Sequence, residues 1–260
     1  MTEIAYRPRS ATEIVDAAFQ IFRQHFKTLV LVTAIAYLPL LLINTALSHV
    51  FGFDEALAAG SLDSSFLIVS ALGMVWLGLV SAVVTAAGSE AYLQRPLDPA
   101  AAFRITLARA GAVTACVVLV TIASAIGLVL LIVPGLYLYA RYGLAPVIAV
   151  LEGGGVQASL ARASVLSNGR KRHILLTMFV ILLIFFAISL ALGFAAQTLL
   201  RQPVLLAAAE FVIIILSYPV VALAQTILYY DLRIRAEGYD VQLMSDRLVS
   251  QPAPASGIEV

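Results

Sequence analysis

Two ionisable side chains stand inside apolar runs: Arg141 in GLYLYARYGLAPVIAVL and Glu210 in PVLLAAAEFVIIIL. A guanidinium at mid-bilayer costs about 2.5–3.5 kcal/mol on insertion scales, so such a group must face protein, water or a partner. With segments 135–151 and 203–228 both crossing a membrane, Arg141 lies six residues and Glu210 seven residues from the outer end. At helical rise those depths are roughly 9 and 10 Å. The match predicts that the two side chains face each other or share a polar pocket with Tyr139 and Tyr142. Three chemistries fit them: an ion pair joining two helices, separate snorkelling to the outer interface, or a site for a substrate or proton.

The second concentration of polar groups is YYDLRIRAEGYD, residues 229–240. Tyr229 and Tyr230 fall where a helix leaves a bilayer, the level at which amphipathic rings concentrate. Asp231 with Arg235, and Arg233 with Glu237, are i,i+4 pairs that would carry the helix on into water. Gly238 suits its end, and Asp240 can cap a short helix bearing Val241, Met244 and Leu248. The cluster therefore reads as an interfacial, solvated helix end.

Other chemistry is sparse. His25, His49 and His173 are isolated and form no metal-binding spacing. LEGGGVQASL lacks the G-K-[ST] of a phosphate loop, and there is no G-x-S-x-G nucleophile elbow. The single Cys116 lies in an apolar run, excluding an internal disulfide. No catalytic residue, cofactor or metal is expected. The basic loops also lack the aromatic interleaving of a nucleic-acid site.

The elements that would position these groups are membrane spans. The 260 residues are 62% hydrophobic and 12% charged, with a mean hydropathy of +0.99, against about a quarter charged in soluble domains. Six runs approach the ~20 residues that cross a bilayer: 28–48, 65–87, 111–133, 135–151, 173–196 and 203–228. The fourth is the shortest and carries Pro146 besides Arg141, so a re-entrant segment is its alternative. Charge distribution favours crossing. If all six cross, 14 of the 16 Lys and Arg fall on one side, Arg201 alone on the other, and Arg141 within a span. The positive-inside tendency makes the basic side cytoplasmic. A charged helical stretch precedes the first run, so the start reads as a cytoplasmic helix and not a cleavable signal peptide.

The fold class expected is all-α: a polytopic membrane protein of six transmembrane helices with interfacial helices on the cytoplasmic side. Residues 1–249 form one integral membrane domain, and 250–260 a disordered tail. Ser10 and Glu13 make a capping box before Val15, Phe19, Phe22 and Phe26. Asp98 and Pro99 open a second helix with Phe103 and Leu107, and a third runs over 156–167 to Asn168-Gly169. Each precedes a pair of spans, which suggests a threefold repeat of interfacial helix plus hairpin over 10–88, 98–151 and 156–228. Such helices lay apolar faces at headgroup level while Arg and Lys meet anionic lipid. Ala187, Ala191 and Ala195, and Ala82 with Ala86, are small-residue stripes that permit close helix approach within the chain or between subunits, with packing within the chain the preferred reading. Pro39, Pro146 and Pro219 would kink their spans.

Three stretches, SATEIVDAAFQIFRQHFKTLVLVTAIAYLPLLLI, PGLYLYARYGLAPVIAVLEGGGVQASLARASVLSNGRKRHIL and TILYYDLRIRAEGYD, resemble the bacterial membrane domain attached to some glycerophosphoryl diester phosphodiesterases. That domain also occurs alone. The resemblance covers nearly the whole chain and departs at Ala163-Ser164, where Ser followed by an aromatic is expected. It implies a polytopic helical fold. It does not imply the phosphodiesterase activity, which in such relatives belongs to a separate soluble barrel.

The function expected is therefore that of a non-enzymatic inner-membrane protein with cytoplasmic termini, a structural or regulatory module. Its partners are the bilayer, anionic headgroups at the cytoplasmic face, and a protein partner or second copy; nucleic acid is not among them. The alternatives are a small-solute or lipid transporter with a polar site at Arg141 and Glu210, and a membrane-associated glycerophosphodiester phosphodiesterase.

Overall fold

The computed structural model describes residues 7–51, 64–200, 202–239 and 241. Arg201, Asp240, Met244, Leu248 and the 250–260 tail lie outside them, as does the side chain of His49. The described residues are all-helical, in nine helices: α1 (Ala11–Gln24), α2 (Phe26–Phe51), α3 (Ser64–Tyr92), α4 (Pro99–Leu130), α5 (Ile132–Tyr142), α6 (Ala145–Leu151), α7 (Gly155–Leu166), α8 (Lys171–Leu199) and α9 (Pro203–Glu237). Six stretches are long and apolar enough to cross a membrane: Phe26–Ile43, Ser70–Tyr92, Pro99–Leu130, Ile132–Leu151, Lys171–Leu199 and Leu205–Glu237. Their outward faces are unsuited to water. Phe179, Leu182, Phe186, Leu190 and Phe194 of α8 are all exposed, an apolar patch far larger than soluble monomers carry.

Local chemistry sets the helix ends. The Ser10 N–H donates to Glu13 Oε2 at 2.7 Å and the Glu13 N–H to Ser10 Oγ at 3.4 Å, so the capping box forms. The helix it starts buries Ile14, Val15, Ala18, Ile21 and Phe22, one face at helical spacing. Asp98 Oδ1 accepts the Ala100 N–H at 2.9 Å, with Pro99 in the first turn. Here the structure departs from expectation. No separate interfacial helix precedes the third span, because α4 runs unbroken through Gly111 to Leu130.

Leu131 alone joins α4 to α5, in extended conformation. So tight a hairpin needs backbones in contact. A Cβ on Gly135 would lie 2.4 Å from the Leu128 nitrogen, and one on Gly127 2.7 Å from the Gly135 Cα. The fourth span is discontinuous: it breaks at Gly143 and Leu144, and Pro146 stands in the first turn of α6. Pro39 and Pro219 stay inside continuous helices.

At the centre is α9, which packs on α1, α2, α3, α6, α7 and α8. Its 35 residues make a rod of roughly 52 Å, longer than a ~30 Å hydrocarbon core, and it ends in left-handed Gly238 at φ 63°. Side-chain to backbone bonds join the spans where water is absent: Trp76 Nε1 donates to the Ala36 carbonyl at 2.9 Å, and the Tyr218 hydroxyl to the Leu77 carbonyl at 3.0 Å. Ala82 and Ala86 of α3 are buried as small-residue contacts. On α8, by contrast, Ala187 and Ala191 are exposed. That stripe faces outward and does not serve packing within the chain.

Candidate functional site

The polar groups gather at the basic end of the bundle, around Asp231. Its side chain is 1% exposed. The Arg9 N–H donates to Oδ1 at 2.7 Å, while Oδ2 is shared by Arg235 Nε at 2.7 Å and His173 Nε2 at 2.9 Å. Arg235 Nη2 also donates to the Arg9 carbonyl at 2.7 Å. One carboxylate thus joins the segment before α1, the start of α8 and the end of α9. Both oxygens are engaged within the protein.

A second chain of contacts runs beside it. The Tyr229 hydroxyl donates to Glu152 Oε1 at 2.7 Å, and Arg162 Nε reaches the same carboxylate at 3.0 Å. Arg162 Nη1 also pairs with Glu237, which accepts from Arg233 Nε at 3.2 Å. Hydrogen bonding to Glu237 and Glu152 holds the Arg162 guanidinium above its ordinary pKa against desolvation. Arg233 lies over the Tyr239 ring, 3.7 Å from its centroid, a cation–π contact. The Tyr230 and Ser89 hydroxyls meet at 2.6 Å, and Tyr230 stacks on Tyr92 with centroids 4.8 Å apart.

Both i,i+4 pairs read from the sequence therefore form, and Arg235, Ala236 and Glu237 at the helix end are exposed, but the turn before them is not. Tyr229, Tyr230, Asp231, Leu232 and Ile234 are buried, because α1, α3, α7 and α8 pack around the last turns of α9. His173 gave no sign of its role; its partner lies 58 positions away. Arg9 and Glu152 were equally silent.

Arg141 and Glu210 are not brought together. Arg141 Nε donates to Ser164 Oγ at 2.9 Å, and its guanidinium lies 5.2 Å from the centroid of the Tyr142 ring. It faces the end of α7 and the start of α8, next to Lys171. Glu210 is exposed on the turn of α9 whose Phe211 stacks on Tyr37 of α2, centroids 6.0 Å apart. The expected equal depth is itself not met. Arg141 stands at the basic end beside Lys171, whereas Glu210 lies on the same continuous helix as Asp231, well before it, roughly 30 Å away at helical rise. Tyr142 does accompany Arg141, whereas Tyr139 lines a different cavity.

That cavity, of about 280 Å³, lies between α3, α4, the α5–α6 break and α9; Ser81, Thr85, Thr121, Tyr139, Tyr218 and Gln225 face it. The hydroxyl of Thr85 is buried without a hydrogen-bond partner among the described residues. Another, about 300 Å³ and apolar, lies beneath the Val15, Phe19, Phe22 and Phe26 stripe of α1, against α8 and α9. Cys116 is buried. Among the described residues no group of three or more His, Cys, Asp or Glu is placed to hold a metal ion.

No protein-family model matches the chain, and no curated protein or solved structure is significantly similar to it.

Proposed function

We propose that this chain is a non-catalytic, multi-pass module of a bacterial inner membrane, with both ends in the cytoplasm, serving a structural or regulatory role. Membership of the membrane-domain family that its sequence resembles is part of the proposal. The observation that carries it is the Asp231 lock: the carboxylate is spent on holding the segment before α1 to the start of α8 and the end of α9. A bundle whose polar groups close its basic end is built to stay assembled. In this reading α1 and α7 lie at headgroup level. Each precedes a hairpin, α2–α3 and α8–α9, and the first turns of α4 stand in the same relation to α4–α6, as three related units.

A specific observation favours a second reading, transport of a small uncharged solute. A mainly apolar cavity that also carries hydroxyls and the Gln225 amide sits at a broken helix, as sites of secondary transporters do. This moves the transport site away from Arg141 and Glu210. Purified chain in liposomes separates the two. The module reading predicts solute flux no higher than in protein-free vesicles. Flux that disappears in Tyr139→Phe/Gln225→Ala would establish transport instead, and hydrolysis of glycerophosphodiesters with added divalent metal would overturn the non-catalytic assignment.

A further inference from the structure

Where α5 meets the end of α7 and the start of α8, a pocket of about 310 Å³ is lined by Tyr137, Arg141, Ser164, Val165, Asn168 and Lys171. Two cations converge there. Lys171 Nζ lies 5.1 Å from the Tyr137 ring centroid, and Arg141 rests on Tyr142 while bonding Ser164 through Nε. Among the described residues, neither has a carboxylate oxygen within 4.0 Å. Three acids at this end are committed elsewhere: Asp231 to Arg235 and His173, Glu152 to Arg162, and Glu237 to Arg162 and Arg233. Of the Arg141 nitrogens only Nε has a hydrogen-bond partner among the described residues. Its Nη nitrogens therefore keep their donors, as does the Lys171 ammonium.

We propose that this pocket seats the phosphate of an anionic phospholipid. A guanidinium matches two phosphate oxygens in a planar, bidentate arrangement, and an ammonium adds a point charge. The Asn168 amide and the Ser164 hydroxyl, which accepts from Arg141 and retains its own proton, complete a set of donors. Uncompensated positive charge at the edge of a membrane span calls for an anion, since an unpaired cation there is costly.

The rim identifies lipid as the source of the phosphate. Val133, Tyr137 and Arg141 recur every four residues, so they share one face of α5, and Val133, Tyr137 and Val165 are exposed. An acyl chain leaving the phosphate would run along Tyr137 and Val133 beside the exposed apolar surface of α8. A free phosphate ion would have no use for that stripe. The inference rests on the membrane-module reading and adds a defined lipid site to it.

The test is native mass spectrometry of the full chain in detergent, titrated with phosphatidylglycerol, phosphatidylcholine or inorganic phosphate. Wild type should retain phosphatidylglycerol over phosphatidylcholine. Arg141→Gln/Lys171→Gln should bind it about tenfold more weakly, the loss of one or two charge-assisted contacts. Arg95→Gln/Arg104→Gln, with the same change in net charge elsewhere at the basic end, should stay within about twofold of wild type. If the first double variant fails to fold, Lys171→Gln alone, half-buried in the first turn of α8, should still weaken binding severalfold. Equal binding of the two lipids, an equal loss in the control variant, or displacement of phosphatidylglycerol by millimolar inorganic phosphate would overturn the proposal. None of these results would create solute flux, so the module reading fails or survives separately.

Discussion

The Arg9 backbone N–H donates to the Asp231 carboxylate at 2.7 Å, across 222 positions of sequence. This bond fastens the first described residues to the last turns of the central helix, at a carboxylate whose own side chain is 1% exposed. Removing the acceptor leaves the Arg9 amide and the Arg235 and His173 side chains without their shared partner. Breaking a buried pair on one side costs about 3–5 kcal/mol. Asp231→Ala should lower the unfolding free energy, read by SDS titration in mixed micelles, by that order. Asp231→Asn, which keeps an acceptor for Arg9, should cost less.

The Tyr230–Ser89 bond at 2.6 Å is a neutral hydroxyl pair. Such contacts between membrane helices average about 0.6 kcal/mol. A Tyr230→Phe/Ser89→Ala double-mutant cycle on the same assay should return a coupling near that value, well below the Asp231 effect.

The α4–α5 hairpin separates two glycines in like solvent. Gly135→Ala would drive a Cβ to within 2.4 Å of the Leu128 backbone nitrogen, whereas at Gly193 a Cβ meets nothing within 4 Å. The first should destabilise by about 1–3 kcal/mol and the second by less than half a kcal/mol, as thermal unfolding in detergent would report.

Glu13 is held well below its ordinary pKa of 4.5, at about 2, by the Ser10 backbone and hydroxyl bonds and the Arg7 guanidinium. A depressed carboxylate stabilises the folded state fully above pH 4.5 and loses that contribution as pH falls through about 2. A carboxyl carbon NMR titration should therefore show Glu13 still ionised at pH 3.5. Ser10→Ala should return its midpoint toward 4.5.

Much of this arrangement was legible in sequence. The spans announce themselves by length, the α1 cap by Ser10 and Glu13, and the Asp231–Arg235 and Arg233–Glu237 pairs by helical spacing. What sequence concealed is direction around each helix. Counting residues from the expected span ends placed Arg141 and Glu210 level with each other, but packing sets Arg141 at the basic end against α7 and α8 and Glu210 farther along α9, on the turn that meets α2. Likewise, the burial of Tyr229 and Asp231 depends on α1 and α7 folding over the end of α9, and neither the Arg9 nor the Glu152 contact leaves a local trace. The Gly143–Leu144 break was foreshadowed by a short fourth run with Pro146, yet the cavity beside it draws on five helices.

The central claim, six crossings with both basic ends on the cytoplasmic face, is tested most directly by cysteine accessibility. Cys116, the single native cysteine, is replaced by Ala, and Gln20→Cys, Ala236→Cys and Gln202→Cys are introduced one at a time at exposed positions. With a membrane-impermeant maleimide on spheroplasts, Gln202→Cys should label at once, and the other two only after permeabilisation. Labelling of Gln20→Cys and Ala236→Cys from opposite faces, or protection of Gln202→Cys in intact spheroplasts, would contradict the account.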